Sequence, residues 1–171
     1  MQKKVKLAIG FIFKDGKALR KAELLVSKKF GPADFESGLI DFLRTEYYKD
    51  EFGENLKRKF ISIERPANPE NIYKVKLITG ALENKISRFG KRTVNIDPGY
   101  ITESKLILLT TKDYSHRVYL KKGVYAESTL RFQNGTFSSH ETTYPDYKSK
   151  DYIKIFNDIR NLYRKQLKSA K

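Results

Sequence analysis

The chain has 171 residues with 35 Lys or Arg against 20 Asp or Glu, a formal net charge of +15, and no cysteine. That length suits one domain with a sizeable core, and 11 tyrosines with 11 phenylalanines are too many for a disordered chain. The missing cysteine excludes disulfides, thiolate metal sites and a cysteine nucleophile, and 2 histidines argue against a multi-histidine metal site.

The chain opens with "MQKKVKLAIGFIFKDGK". A charged start and an apolar run mimic a signal peptide. The run from Leu7 to Phe13 is short, however, is followed by Lys14-Asp15-Gly16, and lacks a small-residue cleavage site. Val5 to Phe13 therefore reads as a strand, central in its sheet because almost nothing polar interrupts it. No other segment approaches the length needed to span a membrane. After a turn at Asp15-Gly16, residues Ala18, Leu19, Ala22, Leu25, Val26 and Phe30 recur at helical spacing and predict an amphipathic helix over 17–30. Residues 34–42 read as a second strand, weakened by Gly38, and "RTEYYKDEFGEN" as a polar, acidic loop. "KRKFISIERP" is a third strand, with Phe60, Ser62 and Glu64 on one face and Ile61 and Ile63 on the other.

Asn68-Pro69-Glu70 supplies a cap residue, a proline for the first helical position and an acid for the helix dipole. The helix it starts has Ile72, Val75, Ile78, Leu82, Ile86 and Phe89 as its buried stripe and Gly90 as its end. "KRTVNI" is a fourth strand. This order predicts an α+β fold, a ferredoxin-like βαββαβ antiparallel sheet with helices on one face, over residues 1–96. In 97–147, Asp97-Pro98-Gly99 reads as a turn, followed by a short helix within "KLILLTTKDY" and a β-meander of three short strands. The meander turns at Lys121-Lys122-Gly123 and at Asn134-Gly135, the latter a strong hairpin signal. Residues 148–171 form a terminal helix with Tyr152, Ile155, Phe156, Ile159, Leu162 and Tyr163 on one face. No linker divides the chain, so a single domain over 1–171 is expected.

The positive charge is unevenly spread. Residues 1–30 hold nine basic and two acidic residues, 57–92 ten and three, and 148–171 eight and two, whereas 93–147 hold six of each. The neutral segment contains the densest functional chemistry, "TTKDYSHRVYL". With Leu120 opposite Val124, Tyr119 faces Tyr125, Val118 faces Ala126 and Arg117 faces Glu127. Val118, Leu120, Val124, Ala126, Leu130 and Phe132 then make a core face, and Arg117, Tyr119, Tyr125 and Glu127 a polar aromatic one. His116 falls opposite Ser128, and a one-residue slip turns it towards Glu127; the sequence leaves both registers open.

Arg117 and Glu127 are either a phosphate clamp with its counterion or a cross-strand ion pair on a solvated sheet. His116 is either a general base steered by Asp113 or a histidine bonded to backbone at a strand start. His140, nominally opposite Thr129, is a surface residue. Asp97, with Asn95 on the same strand face, either ligates a divalent metal such as Mg²⁺ or caps its turn. Lys105 and Lys112 bracket the expected short helix and either meet phosphate oxygens or are solvated. The chain has no G-x-x-x-x-G-K-[ST], no G-x-S-x-G and no H-E-x-x-H. "KRKFISIE" lacks the signature of an RNA-recognition motif, and "KVKLAIGFIF" lacks the metal-binding acids of a polymerase palm or nucleotide cyclase.

"GPADFES", "TEYYKDEFG", "KRKFISIERP", "KRTVNIDPGYIT", "KLILLTTKDYSHRVYL", "GVYAESTL" and "TYPDY" occur in this order. Over roughly residues 3 to 165 the chain resembles a bacterial family catalogued as domain of unknown function 4416. The resemblance implies a small cytosolic bacterial protein. Some members carry the label GTP-binding protein, which no P-loop supports here. The resemblance blocks draw attention to Asp146 and to Tyr47, Tyr48 and Glu51 in the acidic loop.

Mixed charges with tyrosines suit a small-ligand pocket better than a nucleic-acid stripe. The leading expectation is a cytoplasmic protein that binds, or acts on, a phosphorylated or anionic small molecule such as a nucleotide. Arg117, Lys105 and Lys112 would hold the anion, with Asn95, Tyr119 and Tyr125 as further ligand contacts. Asp97 and Glu127 would bind a metal or orient the cations, and His116 with Asp113 would move the proton. The alternatives are a basic RNA- or ribosome-associated binding protein using 1–30, 57–92 and the terminal helix, and an adaptor whose tyrosine-rich loops meet a protein.

Overall fold

Every residue of β1 (Lys6–Phe13) is buried, as an almost uninterrupted apolar run requires. The structure, a computed structural model, describes residues 3–43 and 52–169; Tyr47, Tyr48 and Glu51 of the acidic loop lie outside the described residues. β1 is followed by α1 (Gly16–Phe30), β2 (Ala33–Glu36), β3 (Ile40–Asp41) and β4 (Lys57–Ile63). Then come α2 (Tyr73–Ile86), β5 (Val94–Ile101), β6 (Lys105–Thr110), β7 (Val118–Lys121), β8 (Val124–Gln133), β9 (Thr136–Ser139) and α3 (Lys150–Ser169). The fold is α+β, built among the described residues on a 9-stranded sheet of order β2-β4-β1-β5-β6-β8-β7, with β3 beside β4 and β9 beside β8. All its strand pairs are antiparallel.

Alternation along β1 divides the core between the two faces. Leu7, Ile9, Phe11 and Phe13 pack with Ala22 and Val26 of α1 and Val75 and Leu82 of α2. Ala8 packs on the opposite face with Phe60, Tyr147, Tyr152, Phe156 and Ile159, so α3 covers the side that α1 and α2 leave bare. α3 is tied to the N-terminal strand region by Tyr163, whose hydroxyl donates to the Lys4 carbonyl at 2.6 Å. Lys6, completely buried, is held by Asp34 and by Gln166 of α3. Asp15 caps α1, its carboxylate accepting from the Lys17 amide at 2.9 Å.

The structure corrects several expectations. Asp97-Pro98-Gly99 is no turn: it lies inside β5, with Gly10 opposite Asp97, Ile9 opposite Pro98 and Ala8 opposite Gly99. Proline is tolerated there because β6 pairs only with Gly99, Tyr100 and Ile101, so Pro98 precedes that ladder. Residues 105–110 form β6 rather than a short helix. A six-residue apolar run is too short for its period to decide, and a tight turn from Thr102 to Lys105 folds it back on β5. The second predicted strand is interrupted, with pieces on both sides of Gly38.

The first turn of the meander uses the two residues Lys122-Gly123, with Lys121 opposite Val124 and an irregularity at Leu120; Tyr119 does face Tyr125 and Val118 does face Ala126. Val118 and Leu120 are exposed, because β7 is the last strand of the sheet path and is paired on one edge only among the described residues.

Phe89 is also misplaced by helical periodicity. α2 ends at Ile86, and Ser87 turns the chain out of it while its hydroxyl bonds the Asn84 carbonyl at 2.6 Å. Phe89 then sits fully exposed in a two-residue turn with φ 51°, a left-handed value that bulky residues rarely adopt. Asn tolerates this region far better, so Phe89→Asn should raise stability by about 1 kcal/mol. A Tm no higher than that of the native chain would contradict the strain.

Candidate functional site

Gly99 is where β5 and β6 meet, and the residues before it leave β5 with one edge that no described strand pairs. Side chains take over the hydrogen bonding there. Glu83 of α2 accepts from the Ile96 amide at 2.6 Å, and Lys76 donates to the Ile96 carbonyl at 3.4 Å. A chain of polar side chains then runs along β5. Arg92 contacts Glu83 at 3.3 Å and donates to Asn95 at 3.0 Å; Asn95 donates to Asp97 at 2.7 Å. Arg58 donates from Nη1 to the other Asp97 oxygen at 2.7 Å and from Nη2 to the Tyr147 hydroxyl at 2.7 Å.

Arg58 is only 1% exposed. Its guanidinium lies 4.8 Å from the centre of the Phe60 ring, 5.5 Å from Tyr147, 5.8 Å from Phe42 and 5.9 Å from Tyr152. Its charge is retained through Tyr147 and Asp97: burial alone would favour losing the proton, but these neighbours push its pKa up. Burial also opposes the charge on Asp97, yet Arg58, Lys76 and the hydrogen bond from Asn95 outweigh it and hold the carboxyl below its ordinary range. Asp146 goes the other way, raised chiefly by burial although Arg58 opposes the shift. Two carboxyls around one arginine are thus driven apart, the pattern that separates proton donors from acceptors. Burial pushes Tyr152 up to about 12.

The second cluster centres on Glu127 of β8, which is 4% exposed. One of its oxygens accepts from Arg117 Nε at 2.7 Å and lies 3.1 Å from His116 Nε2. A carboxylate oxygen can only accept, which places a hydrogen on Nε2 and leaves Nδ1 as the second face of the ring. Arg117 spends its other donors on the Lys112 carbonyl at 3.0 Å and the Tyr144 hydroxyl at 2.6 Å. Burial works against its charge, and the hydrogen bond to Glu127 more than restores it. The Tyr114 ring meets His116 edge-on at 5.5 Å. His116 Nδ1 and Arg58 Nε are both buried without a hydrogen-bond partner among the described residues.

One segment connects the clusters. Tyr144 bonds Arg117, and Tyr147, three residues on, bonds Arg58. Thr143 anchors the segment by donating to the Thr129 carbonyl at 2.6 Å.

Of the residues singled out from sequence, His116, Arg117 and Glu127 meet. Lys112 joins them through its backbone, and Asn95 and Asp97 meet each other beside Arg58. The carboxylate on His116 is Glu127 and not Asp113, which is exposed; the Tyr114 ring stands beside the imidazole instead. Lys105 is exposed at the far end of β6, opposite Arg131. Tyr119 and Tyr125 pack edge-on at 5.4 Å. His140 is half-buried, with its ring 3.2 Å from Ser128. Asp97 and Glu127 each answer an arginine in a different cluster, and no group of three or more His, Asp or Glu among the described residues is arranged to hold a metal. They do not fit the oxygen-rich donor set that Mg²⁺ requires.

Sequence reasoning missed Arg58, Tyr144 and Tyr147. The available signal was Arg58 sharing a strand face with Phe60, and the "TYPDY" block.

An α+β protein with paired polar clusters on one sheet face is what the fold and side chains define. The chain belongs to the family described as a domain of unknown function (DUF4416), which matches residues 3–163. No curated protein and no solved structure matches it. No helix among the described residues is long and apolar enough to cross a membrane.

Proposed function

We propose that the chain binds a phosphorylated or otherwise anionic small molecule, such as a nucleotide, beneath the Tyr144–Tyr147 segment. The observation that carries this reading is that Arg58 Nε and His116 Nδ1, one in each cluster, are buried polar atoms with no hydrogen-bond partner among the described residues. Buried polar groups are nearly always hydrogen-bonded, and a guanidinium Nε offers only a donor. An oxygen-rich anion supplies matching acceptors. Asp97 and Glu127 then orient the two arginines, and His116, held by Glu127, is the group placed to carry a proton. A cytoplasmic setting belongs to the same proposal and agrees with the absence of cysteine. For the fold, we take β2-β4-β1-β5 with α1 and α2 as a ferredoxin-like half to which the later strands and α3 are added. Its support is the alternating strand direction and the two helical crossovers.

Thermal unfolding with nucleoside mono-, di- and triphosphates and pyrophosphate tests the ligand. A ligand at a hundred times its Kd should stabilise the chain by about 2.7 kcal/mol. The Tm shift should vanish in His116→Ala and persist in Phe89→Ala. No shift with any phosphorylated compound would sink the proposal.

A second reading, a basic RNA-associated binding protein, is favoured by a separate observation. Along α1 the exposed charged residues are Lys17, Arg20, Lys21, Lys28 and Lys29; along α2 and the turn after it they are Lys74, Lys85, Arg88 and Lys91. The acids in these stretches are withdrawn, Glu23 to Lys59 and buried Glu83 to Arg92. Exposed charge of a single sign across a two-helix layer suits a polyanion.

A further inference from the structure

Arg88 and Lys91 exchange both backbone hydrogen bonds at 2.9 Å, closing a hairpin turn with Phe89 and Gly90 at its tip. Such turns favour Asn-Gly, the pair this chain uses at Asn134-Gly135. At the Arg88–Lys91 turn the first tip residue is a phenylalanine in a left-handed conformation with its ring wholly in solvent. Folding gains nothing from either property. Strain and apolar exposure retained together at one residue point to a role outside the fold.

The surroundings define that role. Phe13 pairs with Val94, so the start of α1 and the turn that follows α2 lie at the same end of the sheet. This puts exposed Lys17, Arg20 and Lys21 of α1 at the same end of the sheet as Phe89 and its exposed sequence neighbours Lys85, Arg88 and Lys91. None has a carboxylate within ion-pair distance among the described residues. Asp15, the exposed acid nearest to them in sequence, is occupied in capping α1. We propose that the Arg88–Lys91 turn is a single-stranded nucleic-acid site, in which Phe89 stacks on a base and the flanking cations hold the phosphates on either side.

A lone exposed ring among cations matches the stacking platform of single-strand binders, since a stacked base needs a free π-face that a duplex does not offer. A membrane surface fits less well. An interfacial helix presents a continuous apolar face to lipid, whereas α1 and α2 have turned theirs onto the sheet. The inference rests on the second, nucleic-acid reading and places it on the α1–α2 layer, away from the terminal helix.

The test uses the full chain and a fluorescently labelled single-stranded RNA 12-mer, read by anisotropy across a salt series. The native chain should bind, with a logarithmic salt slope of about 0.7 per phosphate contact. Phe89→Ala should lose roughly 5- to 100-fold in affinity with its salt slope unchanged, and Phe89→Tyr should recover most of it. Arg88→Gln with Lys91→Gln should instead flatten the slope. The chain has no tryptophan, so Phe89→Trp installs a single reporter whose emission RNA should quench. RNA binding that ignores Phe89→Ala, or leaves the Trp emission unchanged, would overturn the stacking site while sparing the nucleic-acid reading. No RNA binding at low salt would remove both. A blue-shifted Trp emission on phosphatidylglycerol vesicles, without quenching by RNA, would assign the turn to a membrane instead.

Discussion

Replacing Asp97 by alanine should destabilise the chain by about 3–5 kcal/mol, as expected for a buried cation left without its counterion. Arg58 is 1% exposed and surrounded by aromatic rings, whereas the Asp97 side chain is 27% exposed, so water entering in place of the carboxylate should hold the loss to the lower end of that range. The Tyr147 hydroxyl, at 2.7 Å, would remain as a hydrogen-bond partner, but a neutral phenol does not balance the charge. Urea unfolding of Asp97→Ala measures the loss. A double variant, Arg58→Met with Asp97→Leu, should recover much of it, because exchanging a buried pair for apolar groups is often neutral.

The same pair predicts a pH dependence. The folded pKa of Asp97 lies below its unfolded value, so its contribution is fully present above about pH 4 and is lost as the pH falls through the folded value. The acid limb of the native stability curve should be steeper than that of Asp97→Asn. Equal limbs, or an alanine variant within 1 kcal/mol of native, would mean that Arg58 is stabilised by its rings alone.

Gly99→Ala should be nearly as damaging, at about 3 kcal/mol or more. A Cβ at Gly99 would lie 2.4 Å from the Ile107 carbonyl oxygen and 3.0 Å from a Leu108 methyl group. The first of these is backbone in the paired part of β6, which can yield only by breaking the ladder. Gly38→Ala is the matched control, with no atom within 4 Å of the added methyl, and should be neutral or slightly stabilising. Similar effects at the two glycines would show that β6 can withdraw from β5.

The contrast between these residues explains what the sequence made legible. β1 could be read because a chain segment buried on both faces must be apolar throughout. The Arg117–Glu127 contact followed from hairpin register, which Tyr119 and Tyr125 share. Arg58 could not be found that way. Its environment is created by Tyr147 and Tyr152, nearly a hundred residues later, and nothing local distinguishes an arginine on a solvated face from one that a later helix will cover. Asp97-Pro98-Gly99 failed for a related reason. Its turn chemistry is real, but β1 supplies a partner strand that overrides it, and Gly99 answers the close approach of β6 rather than a need for unusual backbone angles. Phe89 failed because helical periodicity carries no information about where a serine will end the helix.

The attachment of α3 also sets the order in which the molecule can be completed. Tyr163 reaches Lys4 across 159 positions of sequence, and Lys6 waits for Gln166. Contacts of such separation form late, after loop closure has been met by other interactions. During synthesis, β1 can acquire its α1 and α2 side while its other side, with Ala8, Phe60 and the Arg58–Asp97 pair, still faces water. Only α3, which follows every strand of the sheet in chain order, seals that surface. The emerging chain therefore passes through a stage with a half-covered sheet, and the residues proposed to bind a ligand are among the last to reach their working environment.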